Sequence, residues 1–381
     1  WLKRLQGAWQ PVRTIPPRPM ARSEQEALEQ KLAASVGVKC FEDLLQRQEL
    51  SLEYKRMKKL PDSFGDLSAL VVVNLVGNAL AALPESFCHL TAVQDLDLSD
   101  NNLDCLPESF GQMEALQTAV LEENDLSELP TSLGHLSSLK TLNIASNRLT
   151  ELPRSLCCLA CLTTLNLTDN ALTTLPEEIG QLAALQCMHI GRNSLHSLPE
   201  SFSQLTALVD VDASANQLAE LPEHFGRLAL LQVLNLNNNH LVALPESFGD
   251  LASLSELFLG ENALLELPQS FGRLTSLSQL YVEDNRLTAL PESFGQLSRL
   301  EQLHAARNSL TGLPESIAGL TSLASLHLED NSLETLPSDI GRLAGLQNMY
   351  LANNNLRELP QSCNQLRSLG QISVENNPLS E

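Results

Sequence analysis

Asparagine returns every 23 residues along this chain, fourteen times without an insertion or deletion, from Asn78 and Asn101 through Asn239 to Asn354 and Asn377. A fixed step of that length marks a chain built from small similar units, none of which can bury a hydrophobic face alone, so each must stack on its neighbours. A Leu-Pro pair keeps the same step from Leu60-Pro61 to Leu359-Pro360. The full pattern reads L-x-x-L-x-L-x-x-N-x-L-x-x-L-P, and it replaces the usual division of a 381-residue chain into two or three globular domains with one quasi-linear array. Composition agrees. Hydrophobic residues make up 43% of the chain and aromatic residues only 4%, which suits thin layers filled by leucine and alanine.

Each part of the unit has a physical reason. In Leu162, Leu165 and Leu167 the spacing ends in a period of two, so the last pair points to one side of a short extended segment, and that side is the interior. Stacking turns these segments into a parallel sheet. Asn170 follows where the chain turns away, and its amide can donate to and accept from backbone groups that no ladder satisfies. Next comes Leu-Pro-Glu-Ser-Phe-Gly, as in Leu244 to Gly249: proline presets φ for a first helical position, and the acid lies by the positive end of a short helix or 3₁₀ turn. Phe248 and Leu251 then drop into the core, and Gly249 permits a tight chain path. On this reading Glu85, Glu108, Glu200, Glu246, Glu292 and Glu315 are structural residues.

Three regions are expected: a basic, proline-rich extension over 1–22, a helical N-terminal cap with a degenerate half-repeat over 23–59, and fourteen 23-residue repeats over 60–381. Ser23-Glu24-Gln25-Glu26 has the form of a capping box opening a helix with Leu28 and Leu32 on one face, followed by a second helical stretch near Phe41 to Gln48. Leu50 and Leu52 repeat the strand pattern with Lys55 in place of the asparagine, and this half-unit covers the open end of the stack. In the extension Lys3, Arg4, Arg13, Arg18 and Arg22 stand beside four prolines with no acid among them, a segment expected to lie off the solenoid or against an acidic partner surface. At the far end Asn377-Pro378-Leu379-Ser380-Glu381 offers no closing helix, so further chain or a partner is expected to cover the last layer.

The net charge of −22 sets bare nucleic acid and anionic membranes against the array and favours a basic or mixed-charge protein surface. No run of eighteen apolar residues is present to span a membrane. The eight cysteines are scattered, which points to a reducing, intracellular setting, cytoplasmic or within an organelle. Cys157-Cys158-x-x-Cys161 lacks the second pair that a zinc site needs, the eight histidines show no metalloprotease spacing, and neither a phosphate loop nor a nucleophile elbow occurs. The expectation is a non-catalytic chain without cofactor or metal.

The unit Leu-Pro-x-Ser-Phe-Gly-x-Leu-x-x-Leu-x-x-Leu-x-Leu-x-x-Asn-x-Leu, over roughly Leu50 to Leu379, resembles the intracellular 23-residue class of leucine-rich repeats. That class includes the Ras-scaffold and Ras-suppressor proteins, their plant Ras-group relatives and the repeat regions of polarity scaffolds. Where those carry isoleucine before the glycine, this chain mostly has phenylalanine, with Ile179, Ile317 and Ile340 as exceptions. The resemblance implies an α/β solenoid shaped as a curved horseshoe, with a parallel sheet on the concave face, helical or 3₁₀ turns on the convex face, and protein binding through the sheet. A small-GTPase or phosphatase partner follows from analogy alone. Two roles stay open: a scaffold binding a signalling protein, or a structural subunit of a large assembly such as an organellar complex or cytoskeletal array.

The strand position four residues before each ladder asparagine faces away from the core. It begins small and polar, with Asn74, Asp97, Val120, Asn143, Asn166, His189, Asp212 and Asn235, and then carries Phe258, Tyr281, His304, His327 and Tyr350. Glu261, Glu283, Asp284, Arg307, Glu329 and Asp330 flank this ribbon. Aromatic anchors inside a charged rim are what a protein-binding hot spot requires. The alternative is that rings suit strands and stack on neighbours about 4.8 Å away without binding anything.

Overall fold

The computed structural model describes residues 21–379. Fifteen three-residue strands, from β1 (Glu49–Ser51) and β2 (Val72–Asn74) to β15 (Gln371–Ser373), form one parallel sheet in which chain order is also spatial order. Neighbours pair in a constant register of one unit, as in Leu50↔Val73 and Leu280↔Leu303. The middle residue of the strand turns inward and the two outer ones outward, so β8 (Asp210–Asp212) buries Val211 and leaves Asp210 and Asp212 half-buried on the sheet face. This is the α/β solenoid expected from the sequence.

The asparagine after each strand holds the stack together. Asn216, 6% exposed, donates through Nδ2 to the Ile190 carbonyl of the preceding unit at 3.0 Å and to the Ala213 carbonyl of its own at 3.1 Å. Its Oδ1 accepts the Leu195 N–H of the preceding unit at 3.0 Å. The same three contacts recur at Asn101, Asn285 and Asn377. The residue before the asparagine is left-handed throughout, with Gly77 at φ +66° and Asp100, Ala215, Arg307 and Asn376 at 51–58°. That conformation carries a steric penalty for any residue with a Cβ, so the surrounding hydrogen bonds must over-determine it.

On the opposite side the chain makes 3₁₀ turns, not α-helices. Their proline stands one place earlier than anticipated: Pro245, at φ −66° and ψ 152°, is the extended residue before the turn Glu246–Asp250. Glu246 opens that turn and reaches to the next one, where its Oε2 accepts the Ser270 N–H at 3.3 Å. Glu85 and Glu108 likewise accept hydroxyls from Ser109 and Thr131. A turn this short has little dipole to complement, and the acids serve as ties between neighbouring units. Phe202, Phe225, Phe248, Phe271 and Phe294 stack beneath them at centroid separations of 6.0–6.3 Å. A Cβ on Gly249 would strike the Ser270 carbonyl, which is why the adjacent turns can lie so close.

The first unit is preceded by the helix α1 (Arg22–Ser35), which buries Leu32 and Ala33 and leaves Leu28 half-buried. The expected capping box does not form. The helix starts one residue before Ser23, its N-cap is the extended Ala21, and no side chain caps it. Arg22, assigned above to the basic extension, is the first helical residue and pairs with Glu26 at 3.0 Å. The rest of that extension, residues 1–20, lies outside the described residues. A 3₁₀ turn over Phe41–Leu44 packs against α1 and buries both of its ends. At the other margin β15 is an edge strand with Ile372 42% exposed, and the turn Gln361–Gln365 buries none of its residues. No helix among the described residues is long and apolar enough to cross a membrane.

If the ladder is what closes the units on each other, Asn216→Ala should destabilise the array by about 1–3 kcal/mol, since it strands the buried Leu195 N–H and leaves the Ile190 carbonyl with Asn193 Nδ2 as its remaining side-chain donor. The urea midpoint should fall accordingly, while the same truncation at the exposed Asn102, whose φ is not left-handed, should move it little.

Candidate functional site

Five strands carry the ring column: β10 (Glu256–Phe258), β11 (Gln279–Tyr281), β12 (Gln302–His304), β13 (Ser325–His327) and β14 (Asn348–Tyr350). Since every pairing is in register, Phe258, Tyr281, His304, His327 and Tyr350 fall side by side. They form one continuous face-to-face stack with centroid separations of 4.8, 4.5, 4.1 and 4.4 Å and interplanar angles of 12–25°. All five are half-buried. The stack leaves ring edges, not ring faces, toward solvent along its length.

The tyrosine hydroxyls are held within the sheet. Tyr281 donates toward Gln279 Oε1 at 3.2 Å and Gln302 Oε1 at 3.4 Å, and Tyr350 donates to Gln371 Oε1 at 2.9 Å. These glutamines, two strand positions before the ring column, belong to the ribbon and were not singled out by sequence. Their signal was available in the outward-facing period of two. His327 bridges Ser325 Oγ at 3.1 Å and Glu329 Oε1 at 3.4 Å. Burial in the stack, reinforced by His327, pushes His304 down to about 4. Burial also raises the Tyr281 phenol above its ordinary value.

The charged residues flanking the rings separate into two kinds. Glu261, Asp284, Arg307 and Asp330 occupy the left-handed position before the ladder asparagine, at φ 52–56°. Of these, Arg307 places Nε and Nη2 each 2.6 Å from the two oxygens of Asp284, and that fork holds the Asp284 carboxyl below its usual range. Asp330 accepts Asn353 Nδ2 at 2.8 Å. Glu283 and Glu329 are different. They are half-buried at the position two before the asparagine, in a column that alternates small and acidic residues: Gly260, Glu283, Ala306, Glu329, Ala352. A Cβ on Gly260 would lie 3.1 Å from Glu283 Oε1, so this carboxylate folds back over the preceding strand. Burial raises the Glu283 carboxyl above the ordinary range. In both residues Oε2 is buried and receives no hydrogen bond from the described residues.

The earlier half of the same face is arranged otherwise. Asn74, Asp97, Asn143, Asn166, Asp212 and Asn235 each turn Oδ1 onto the backbone N–H two residues on, at 2.9–3.1 Å. Their acceptors are thereby committed locally, and His189 lies 3.1 Å from Asp210 of the next strand. On the convex side Cys157 is buried, which pushes its thiol up to about 11, while Cys158 and Cys161 are exposed.

Models of the leucine rich repeat match the chain over residues 120–172, 162–218, 221–264, 275–333 and 321–379, and again over 92–113. Among solved structures it is similar to a leucine-rich-repeat protein of Leptospira interrogans, at 34% identity and a TM-score of 0.76, covering 89% of this chain and 93% of that one. It is also similar to the plant peptide hormone receptor RGFR1, solved in complex with RGF2, at 25% identity and a TM-score of 0.70, covering 84% of this chain and 61% of the receptor. Drosophila Toll, solved with Spatzle, shares the fold at 24% identity and a TM-score of 0.74, with 84% of this chain and 46% of that one covered. No curated protein matches.

Because His304 carries a depressed pKa in the folded chain, the unfolded chain binds more protons between about 4 and 6.5. Stability should therefore rise with pH across that window and be lost as pH falls through it. In His304→Phe this contribution should vanish, flattening the curve of urea midpoint against pH; an equally steep curve in the variant would show that the stack does not hold the imidazole neutral.

Proposed function

The chain belongs to the leucine-rich repeat family, and from that premise we propose that it is a non-catalytic scaffold binding a partner protein along the aromatic ribbon of its concave face. Members of this family are in general binding scaffolds, and the plant receptor and Toll were solved with protein or peptide partners. The observation that carries the reading is the change along one face. Strands up to β9 (Val233–Asn235) present small polar side chains, most of them closed onto their own backbone, whereas β10 to β14 present a preformed stack of five rings. Rings already held by their neighbours lose little conformational freedom on binding, and their edges offer apolar area beside fixed polar groups. The Arg307–Asp284 fork and the Asp330–Asn353 contact order the rim before a partner arrives.

Within this reading the partner surface is basic or mixed in charge, since the chain carries −22. A small GTPase is the partner class that the resemblance to the Ras-associated repeats favours, and a structural assembly is the competing role.

Affinity capture from a cell extract with the full chain as bait, read by mass spectrometry, tests both. Capture that responds to guanine nucleotide supports the signalling role; one large particle of fixed stoichiometry supports the structural one. Replacing Tyr281 and Tyr350 by alanine should leave the fold intact, because neither ring fills the core, and weaken the captured partner by about 2 kcal/mol or more if both are hot spots. Undiminished binding by a folded double variant would move the site away from the rings, toward the acidic strands around Asp95, Asp97, Glu122 and Glu123.

A further inference from the structure

The concave ribbon offers more than apolar edges. Beside the ring stack runs the column Gly260, Glu283, Ala306, Glu329, Ala352, in which each acid stands between two small residues. The backbone ladder continues through it: Glu261 donates to the Glu283 carbonyl at 3.0 Å, Asp284 to Ala306 at 3.1 Å and Arg307 to Glu329 at 2.8 Å. The two acids are thus held two strands apart, about 10 Å by the spacing of paired strands.

Most charges nearby are committed. Arg307 forks onto Asp284, and Asp330 takes the Asn353 amide. Glu283 and Glu329 are not neutralised in this way. In each, Oε2 is shielded from solvent and receives no hydrogen bond from the described residues, so the carboxylate must turn outward to meet a donor; Oε1 of Glu329 faces His327 Nδ1 at 3.4 Å. A half-buried carboxylate in that state gains from a cationic donor, and the gain grows as a ligand covers the site and excludes water. Burial has already raised the Glu283 carboxyl, so it stands to gain most from such a donor. An anionic ligand would meet both acids and a chain of charge −22.

Resting on the concave-face reading above, we propose that the partner docks through two cationic side chains about 10 Å apart, one on the Glu283 carboxylate and one on the Glu329 carboxylate, with their alkyl stems along the ring edges of Tyr281, His304 and His327. The occupant is a basic protein segment, and the two acids act as a ruler for the spacing of its charges. Arginine suits each position better than lysine, because its planar fork can donate two hydrogen bonds to one carboxylate.

Proline-spaced peptides supply the matching ruler, since a polyproline II helix brings residues i and i+3 to one face about 9.3 Å apart. A fluorescein-labelled peptide with two arginines separated by two prolines should bind the full chain, read by anisotropy at physiological salt. The same peptide with adjacent arginines, or with citrulline for arginine, should bind at least about tenfold more weakly. Glu283→Gln and Glu329→Gln should each reduce binding of the matched peptide about tenfold. The double variant Glu122→Gln, Glu123→Gln, which removes twice the charge of either single variant elsewhere on the sheet side, should not.

Equal binding of matched and adjacent peptides, an equal loss in the Glu122/Glu123 control, or no binding at all overturns the proposal. So do folded Glu283 and Glu329 variants that bind as the parent does. The partner recovered by affinity capture separates this from the broader reading. If the Tyr281/Tyr350 double variant releases that partner while a Glu283/Glu329 double glutamine variant retains it, the ribbon stands and the carboxylate ruler falls.

Discussion

A chain that turns back on itself every 23 residues leaves backbone donors and acceptors at each turn that neither a sheet nor a helix can satisfy. One primary amide per unit resolves this, because it carries both functions in a side chain short enough to lie flat between layers. Asn216 and its counterparts each link two units through carbonyls of both and an N–H of the earlier one. The left-handed residue beside each asparagine follows from the same requirement. The chain accepts a strained φ at Ala215 or Arg307 because the amide must be presented at that height and angle. Once it is, the strands fall into register, the turns stack and the phenylalanine column closes beneath them.

That strict register also makes the ribbon possible. Face-to-face aromatic contact over five strands needs every strand to present the same position at the same pitch, and a single bulge would break it. The cost falls on the polar groups around it. His304 gives up its charge between about pH 4 and 6.5, and Glu283 is held in a setting that disfavours its own. Polar side chains placed against their solvation preference beside an ordered apolar strip are a pattern that binding surfaces share with active sites. Here the strip lies on an open sheet face.

Most of the fold could be read from the chain because periodicity is the one signal that repetition amplifies. The alternation in Leu165 and Leu167, the asparagine column and the Leu-Pro step each recur often enough to average out local exceptions. Where no repetition helped, the sequence was less informative. The Ser23 to Glu26 pattern suggested a capping box, yet tertiary packing starts α1 at Arg22, where Gln25 and Glu29 both reach Ser63 of the first full turn. The ring column was legible, since a fixed register converts sequence spacing directly into neighbours. The sorting of its rim was not. Whether Asp284 or Glu283 meets Arg307 depends on which residue sits at the left-handed turn and which points along the sheet, and both share the same composition-level description.

The asparagine ladder also gives the array a direction. Each amide reaches back: Asn377 serves Leu351 and Leu356, and Asn354 serves Leu328 and Leu333, so every unit is completed by the one after it. As the chain leaves the ribosome, each newly emerged unit therefore seals its predecessor, and at any moment only the youngest layer has turn groups still waiting for their amide. Growth from the helix-covered first layer onward is thus a zipper that closes behind itself, with no need to hold distant segments in reserve.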